Sequence, residues 1–251
     1  MSNLHVIYRT CQLPNKNKER PDWMDNSGFR PEWFNKENAF KSILNELGRH
    51  DYLHVLFDGY SENHFLEKYL KDTVNTNFKF LEFDGGSDAH SYKFCLEYIE
   101  QCEHITSNDL IYLVEDDYLH NKGWKEILWE AFDTGATEYW TLFDHPDKYS
   151  NDINEIEACK VFVGKNCYWR TATSTTNTIA FKMQTFLDQK RVHYESCDTE
   201  AGMTWDHQKF IQLKDEFNAR ISYPIPGYST HLDKRTLSSF INWQNVNDSI
   251  K

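Results

Sequence analysis

The stretch DLIYLVEDDYLH, residues 109–120, most narrows the range of folds open to this chain. An apolar run without polar alternation, at 110–114, predicts a strand that is buried on both faces of a sheet. Three carboxylates, Glu115, Asp116 and Asp117, follow it at once. Adjacent acids resist ionising together unless positive charge lies among them. The stretch therefore predicts a buried strand whose tip either faces water or holds a cation.

The first half of the chain alternates strand and helix patterns. Asn35 and the Ser-Asp pair at 87–88 mark two helix starts, because their side chains can cap the first turn. Alternation at these lengths predicts a parallel sheet that helices cover on both faces. The predicted strands are 4–10, 53–59, 78–86 and 109–117, and the predicted helices are 35–48, 62–72, 87–102 and 122–133.

The second half shows shorter and more mixed patterns. We expect a single α/β domain over residues 1–251, with a nucleotide-binding half at about 1–135 and an acceptor half at about 136–251. The predicted elements here are strands at 138–144, 159–164, 167–172 and 178–182, helices at 183–191 and 204–217, and a strand in 219–235 that runs into a loop marked by Pro and Gly.

Ligands of parallel sheets bind beyond the carboxyl ends of the strands. The predicted strand ends carry Arg9, Thr10, Asp58 and the three acids at 115–117. A divalent cation accepts one or two carboxylates and leaves its other positions to substrate phosphates. The sequence therefore predicts a cation site for Mn²⁺ or Mg²⁺ at this edge, with a solvated turn as the alternative.

Two residues in the second half are further candidates. Asp206 stands near the start of a predicted helix, where the helix dipole alone also favours an acid. His231 follows a Gly-containing loop, and a neutral imidazole can ligate a metal. Lys234 and Arg235 come next and can meet phosphates. Taken alone, a position at a helix start explains Asp206, and an ordinary surface or core position explains His231.

Charge and composition exclude several classes of protein. Lys plus Arg number 27 against 39 for Asp plus Glu, a formal net charge of -12, which argues against a nucleic-acid binder. Six scattered cysteines without a C-x-x-C pair argue against a zinc knuckle and suit reduced thiols, although their even number leaves disulfides open. The chain lacks a signal-peptide pattern and an apolar stretch of ~20 residues. We expect a soluble, cytoplasmic protein with no transmembrane segment.

Four features of the chain together resemble the GT-A glycosyltransferases. They are the segment VEDDYLHNKGW, the earlier helix start DAHSYKFCL, the later acid Asp206 and the C-terminal His231. The similarity is greatest to the inverting N-acetylglucosaminyltransferase I type. It is scattered over residues 4 to about 132 and then thin until Asp206 and His231. The resemblance implies a GT-A (Rossmann-like) fold with a mixed, mainly parallel sheet flanked by helices.

The same resemblance implies a hexosyl- or pentosyltransferase. It would move a sugar from a nucleotide-sugar donor to a hydroxyl of a glycan or other acceptor, with inversion. UDP is favoured as the nucleotide because a carboxylate can accept the N3–H of uracil. The implied roles are Mn²⁺ (or Mg²⁺) binding by Asp117 and His231, general base for Asp206, uracil contact by Arg9 and Asp58, and other donor contacts by Thr10, Ser91, Glu115 and Asp116.

Other functions remain open at this stage. A metal-dependent nucleotidyltransferase would show a Gly-rich signature after the first strand, and YRTCQLPNKNKERP has no glycine. A metal-dependent hydrolase would show a histidine cluster. A non-catalytic glycan-binding protein would use aromatic platforms, and aromatic residues form 16% of the chain. The candidates for lining an acceptor cleft, with a core position as the alternative, are Trp169, Arg170, Tyr194, Trp205 and Tyr228.

Overall fold

A nine-stranded sheet forms the centre of the protein. The computed structural model describes residues 2–12, 27–62, 64–71, 76–149 and 158–250. The strands in these ranges are β1 (Leu4–Cys11), β2 (Tyr52–Asp58), β3 (Asn77–Phe83), β4 (Leu110–Glu115), β5 (Tyr118–His120), β6 (Tyr139–Trp140), β7 (Val161–Val163), β8 (Tyr168–Ala172), β9 (Ile179–Lys182), β10 (Cys197–Asp198), β11 (Met203–Thr204), β12 (Ile221–Ile225) and β13 (Ser229–His231).

Strand direction divides the large sheet into two parts. Its order is β3-β2-β1-β4-β9-β6-β12-β8-β7, and the first four strands are parallel. β9 runs antiparallel to β4 and β6, and β8 runs antiparallel to β12 and β7. Two small sheets, β13-β5 and β10-β11, lie outside it. The predicted mixed, mainly parallel sheet is confirmed.

Helices lie on both faces of the sheet, as predicted. Asn35 accepts hydrogen bonds from the backbone N–H of Glu37 and Asn38, and Ser87 accepts one from His90, so both predicted helix starts are confirmed. The α-helices of the described ranges are α1 (Lys36–Leu44), α2 (Glu67–Lys71), α3 (Asp88–Gln101), α4 (Trp124–Thr134), α5 (Met183–Glu195), α6 (Asp206–Phe217) and α7 (Trp243–Ser249).

Because β1 and β4 are buried on both faces, a ligand can reach these strands only at the edge of the sheet. Tyr8 of β1 packs into one core with side chains of α1 and α4, such as Phe40. The neighbouring Ile7 points into a second core that α3, α5 and α6 cover, and Tyr92 belongs to it. Because successive strand residues face opposite sides, an apolar run such as 110–114 fills both cores at once.

Two predicted elements begin later or end earlier in the structure because of identifiable contacts. The helix at 62–72 is described only as Glu67–Lys71, and residues 63 and 72 lie outside the described ranges. The N–H of Ser61 binds Glu82 on β3, which holds the chain in a turn before the helix. The strand predicted at 138–144 forms a ladder only over Tyr139–Trp140, and Phe143 makes an isolated bridge to Ser229. Thr141 Oγ1 accepts the N–H of Phe143, so a side chain replaces the strand ladder there.

The remaining general expectations concern thiols and membranes. The structure pairs none of the six cysteines with one another. None of the helices in the described ranges combines the length and apolar character that a membrane span requires. The division of the chain near residue 135 and a cytoplasmic location stay predictions.

Candidate functional site

The carboxyl ends of β1, β2 and β4 bring distant polar residues to one edge of the sheet, here called the carboxyl edge. Arg9 of β1 stands beside Glu115 of β4, and Cys11 stands beside Asp58 of β2. Because paired residues point to the same face, Arg9, Glu115 and Asp58 lie on the side that α3 covers. Thr10 points to the opposite side, toward α1.

Glu115 belongs to the α3 side. Arg9 donates one hydrogen bond to Glu115, Nη2 to Oε1 at 2.6 Å, and another to Asp88, Nη1 to Oδ1 at 2.6 Å. Thr178 Oγ1 donates to the second oxygen of Glu115 at 3.1 Å. Burial raises the pKa of Glu115 to about 7, with Arg9 opposing and Asp117 adding to the rise. Near neutral pH this side chain can therefore donate as well as accept a hydrogen bond.

Asp116 belongs to the α1 side. Its Oδ2 accepts a hydrogen bond from Thr10 Oγ1 at 2.7 Å. The ammonium of Lys36, the first residue of α1, lies 2.5 Å from the same oxygen. Although burial lowers it, the pKa of Lys36 is raised overall by this carboxylate, so Lys36 is charged at neutral pH. Asp116 is thus held between the first strand and the first helix.

Asp117 lies beyond the strand and has partners of its own. β4 ends at Glu115, so the strand predicted through residue 117 is two residues too long, and side-chain alternation does not relate Glu115 to Asp117. Arg30 Nη2 donates to Asp117 Oδ2 at 2.7 Å. His231 Nε2 lies 3.0 Å from the same oxygen, because β13 pairs with β5 directly after the acids. Burial opposes the shift, but His231 and Arg30 hold the pKa of Asp117 well below its usual range.

Each of the three adjacent carboxylates therefore has its own cation from a different part of the chain. Arg9 compensates Glu115, Lys36 compensates Asp116, and Arg30 compensates Asp117. Positive charge does lie among the acids, as their spacing requires, and the protein itself supplies it. The alternative that the three acids simply face water does not fit, since all three are partly buried and paired.

The Asp117–His231 pair can be tested for its fit to a divalent cation. A carboxylate oxygen and an imidazole nitrogen are both accepted ligands, and neighbouring ligands of an octahedral ion with bonds of about 2.1 Å lie roughly 3 Å apart. The observed 3.0 Å separation fits this, and Thr236 Oγ1, 3.2 Å from His231 Nδ1, can fix the ring. No group of three or more His, Cys, Asp or Glu side chains in the described ranges could hold a metal ion. The protein would therefore contribute two ligands, and substrate or water the others.

Asp58 lies where the sequence places it but is engaged by the backbone. Its Oδ1 accepts the N–H groups of Gly85 at 2.8 Å and Gly86 at 3.0 Å. A Cβ atom on Gly85 would stand 2.7 Å from Asp58 Oδ2, so only glycine permits this approach. Ser91, in the second turn of α3, is buried and offers little surface to a ligand. Contact of either residue with a nucleoside stays a prediction.

Asp206 begins α6 and is connected to the acids at residues 115–117 through one loop. Asn177 Nδ2 donates to Asp206 Oδ1 at 2.6 Å, while the next residue, Thr178, binds Glu115. Lys209 donates to Asn177 Oδ1 and, at 3.2 Å, to the hydroxyl of Tyr92. Burial raises the pKa of Asp206, and Lys209 opposes the rise. A carboxylate with a raised pKa at this edge is a candidate proton acceptor.

Sequence reasoning missed five residues of this arrangement. Lys36 had a usable signal, because it directly follows the capping residue of the first predicted helix. Lys209 also had one, because it lies one turn after Asp206 in a predicted helix. The others lie in segments without a motif, and they are Arg30, Asn177 and Thr178.

The predicted acceptor-cleft residues fare unequally. Trp169 and Arg170 are 1% and 4% exposed, so they occupy core positions, the alternative given for them. Trp205 is 40% exposed beside Asp206, whereas Tyr194 and Tyr228 are half-buried. Only Trp205 of these five presents a large open aromatic surface.

Comparison of the sequence with known proteins finds no relative. No family model matches the chain, and no curated protein matches it.

Comparison of the fold does find similar structures. S. aureus TarS, residues 1–349, superposes with a TM-score of 0.51 at 11% identity over 90% of this chain. The chain spans 59% of that protein's length. At such identity the likeness shows the fold alone, and it agrees with the predicted GT-A-like architecture. The finer likeness to the N-acetylglucosaminyltransferase I type stays a prediction.

Two weaker similarities have TM-scores below 0.5. One is S. aureus TarS 1–349 in complex with UDP-GlcNAc, with a TM-score of 0.47 and 14% identity, covering 91% of this chain and 58% of that one. The other is a 4-diphosphocytidyl-2C-methyl-D-erythritol synthase, with a TM-score of 0.44 and 11% identity. The match covers 97% of this chain and 95% of that one. We draw no conclusion from either.

Proposed function

We propose that this protein is a metal-dependent glycosyltransferase that moves a sugar from a UDP-sugar to a hydroxyl of a glycan or other acceptor, with inversion. The observation that carries the proposal is the Asp117–His231 pair, brought together at the carboxyl edge from positions 114 residues apart. The GT-A-like fold supports it, because ligands of such sheets bind at this edge.

The donor would lie along the carboxyl edge. Asp117 and His231 would hold Mn²⁺ or Mg²⁺, and such an ion, when bound, neutralises charge on the leaving diphosphate. Glu115, with its pKa near 7, can exchange hydrogen bonds with sugar hydroxyls in either direction. Asp116 accepts from Thr10 and Lys36 through Oδ2, which leaves Oδ1 for ribose or sugar. Arg9, Thr10, Asp58 and Ser91 would complete the nucleoside side.

Asp206 would act on the acceptor. In an inverting transfer, the base takes the proton of the acceptor hydroxyl while that oxygen attacks the anomeric carbon from the face opposite the leaving group. The bond from the anomeric carbon to the diphosphate oxygen breaks as the new glycosidic bond forms. Asn177 donates a hydrogen bond to the carboxylate of Asp206 and orients it, and Lys209 opposes the rise in its pKa. Both contacts support the assignment of a base.

One observation favours a second candidate. Each of the three acids already pairs with a protein cation, so positive charge lies among them without any metal. A non-catalytic glycan-binding protein, in which these pairs merely hold the sheet edge together, fits that pairing. It predicts binding of a free glycan without nucleotide and no metal effect.

The decisive experiment is calorimetric titration of UDP in Mn²⁺ and then in EDTA. We expect micromolar binding in Mn²⁺ that is lost in EDTA and in Asp117→Ala. The matched control is Asp84→Ala, which removes an exposed carboxylate that follows β3 at the same edge. Equal binding by wild type and Asp117→Ala, or no binding of UDP by wild type, would remove the proposal. A positive result leads to a screen of UDP-sugars for slow hydrolysis.

A further inference from the structure

Three groups meet at one oxygen atom at the tip of β4. Asp117 Oδ2 lies 2.7 Å from Arg30 Nη2 and 3.0 Å from His231 Nε2. All three side chains are largely sheltered, with exposed fractions of 16% for Asp117, 20% for His231 and 22% for Arg30. A cation that binds between Asp117 and His231 therefore competes with Arg30 for this carboxylate oxygen.

Arg30 cannot simply withdraw into solvent when that happens. Its Nη1 donates to the backbone carbonyl of Leu232 at 2.9 Å, next to His231 in the chain. Its guanidinium also lies over the ring of Phe34, 4.8 Å from the centroid. These two contacts do not involve Asp117 and keep the positive charge beside the cation position. Two like charges in a sheltered site repel each other, so metal binding alone is opposed.

The other cations of the cluster do not face this conflict. Arg9 is held by Asp88 and Glu115, and Lys36 is held by Asp116, so neither loses its partner when Asp117 ligates an ion. Arg30 is the cation that would need a new anion. A nucleoside diphosphate brings that anion to the same place, since its phosphates ligate the metal as well.

We infer that Arg30 passes from Asp117 to the donor diphosphate when the metal binds, and so makes the binding of metal and nucleotide strongly interdependent. This rests on the proposed function. A guanidinium suits the role, because it donates in a planar fork to phosphate oxygens as readily as to a carboxylate. Metal without nucleotide leaves Arg30 uncompensated, and nucleotide without metal finds Arg30 already occupied by Asp117. Either ligand is therefore expected to bind weakly alone.

Calorimetry tests the inference through a thermodynamic cycle. Mn²⁺ is titrated into the protein with and without UDP, and UDP with and without Mn²⁺, for wild type and Arg30→Gln. In wild type each ligand should strengthen the other by the same factor, about 30-fold or more. In Arg30→Gln, Mn²⁺ alone should bind as tightly as in wild type or more tightly. UDP in the presence of Mn²⁺ should bind about tenfold more weakly than in wild type. The coupling factor should fall to a few-fold.

Two further variants make the outcome unambiguous. Arg30→Lys keeps the charge but not the fork, so we expect it to fold and to retain an intermediate coupling. Arg220→Gln removes an exposed cation that pairs with Glu138 at 3.7 Å and should leave the cycle unchanged. If wild type shows the coupling and both Arg30 variants keep it in full, the inference is wrong and the proposed function stands. If wild type binds no UDP in Mn²⁺, both are wrong.

Discussion

Lys209 and Asp206 lie one turn apart on α6 and bind opposite ends of the same amide, that of Asn177. The ammonium is almost fully buried, where burial lowers the pKa of Lys209 and the nearby Asp206 opposes that change. A buried ammonium does not contribute to solubility, so its role lies in the contacts that it makes. It orients Asn177, and through Asn177 it orients and stabilises the ionised form of the candidate base.

Replacing this lysine is expected to move the pH profile of the proposed sugar transfer. Lys209→Met removes the charge that opposes the rise in the pKa of Asp206, so that pKa should rise further. Since a base acts in its ionised form, the acidic limb of turnover should shift upward by about 1 pH unit or more. The measurement is the initial rate of UDP-sugar cleavage against pH. Lys214→Met, at an exposed position of the same helix, is the control, and an unchanged midpoint in Lys209→Met would contradict the prediction.

Removal of the connecting amide should separate chemistry from donor binding. Asn177→Ala leaves Asp206 without the hydrogen bond that orients it, which can cost on the order of 10²-fold in rate. Asn177 does not touch Arg9, Asp117 or His231 in the described contacts. The dissociation constant for UDP in the presence of Mn²⁺ should therefore stay unchanged. Steady-state rates and calorimetry on the same preparation check this. A parallel loss of UDP binding would show that Asn177 supports the donor site instead.

Arg9 is expected to be important for stability. Arg9→Gln leaves both Asp88 and Glu115 without their cation, and since Asp88 is half-exposed we expect a loss of about 1–3 kcal/mol in the free energy of unfolding. The loss should be larger at pH 8 than at pH 5.5. The pKa of Glu115 is about 7 even beside Arg9, so at the lower pH its carboxyl is largely protonated and needs no cation.

Urea unfolding at the two pH values measures this difference. Arg220→Gln breaks an exposed pair with Glu138 at 3.7 Å and should change stability by less than about 0.5 kcal/mol. A loss for Arg9→Gln that is the same at both pH values would refute the assigned titration of Glu115.

Asp144 should be a site where a neutral amide stabilises the fold. It is fully buried, and burial raises its pKa to about 6, although Tyr149 donates a hydrogen bond to its Oδ1 at 2.7 Å. Its Oδ2 has no hydrogen-bond partner within the described part of the chain. A carboxyl whose pKa is raised by folding favours the folded state below its unfolded pKa, near 4, and loses that contribution as pH rises through 6.

Asp144→Asn should therefore stabilise the protein at pH 8, by roughly 1–3 kcal/mol, and the gain should vanish by about pH 4.5. Urea unfolding of the variant at both pH values is the measurement. Asp133→Asn, an exposed acid on α4, should show no such dependence. Destabilisation by Asp144→Asn at pH 8 would mean that its charge is compensated.

Gly85 should tolerate no side chain. A Cβ there would stand 2.7 Å from Asp58 Oδ2 and 2.8 Å from Phe83 Cε2, so Gly85→Ala must displace Asp58. We expect a loss of about 1–3 kcal/mol in stability and weaker binding of UDP in Mn²⁺. Thermal unfolding and calorimetry measure the two effects. Gly28→Ala is the matched control, because a Cβ on Gly28 meets no atom within 4 Å. Unchanged UDP binding in a destabilised Gly85→Ala would argue against a donor contact for Asp58.

The parallel half of the fold was predictable because its signals are local. Residues 110–114 are apolar throughout, and Asn35 and Ser87 carry the side chains that cap a helix. The errors arose where a distant contact overrides the local pattern. Glu82 reaches Ser61 from β3 and delays a helix that residues 62–72 would otherwise start. Thr141 satisfies a backbone donor through its own side chain and ends a strand that looks longer.

The site was predictable to the same degree. The topology of a parallel sheet brings acids at the ends of its strands to one edge. The sequence alone therefore predicts that Glu115, Asp116 and Asp58 lie at the carboxyl edge. Their partners could not be predicted, since Arg30 and Asp117 are 87 positions apart and nothing in the sequence around Arg30 specifies that pairing. Which cation pairs with which acid over such separations is decided only in the folded chain. These pairs show that the protein itself supplies positive charge to the three acids.

The pairing of β5 with β13 also sets when the Asp117–His231 pair can first exist. A growing chain carries all three acids, and the strands of the parallel half, while His231 is still 114 residues from being added. At about 5–20 residues per second, synthesis separates the two events by several seconds or more. During that interval β5 has an open edge and Asp117 has no imidazole beside it. A chain cut short before residue 229 would keep a nearly complete sheet and be unable to assemble the pair.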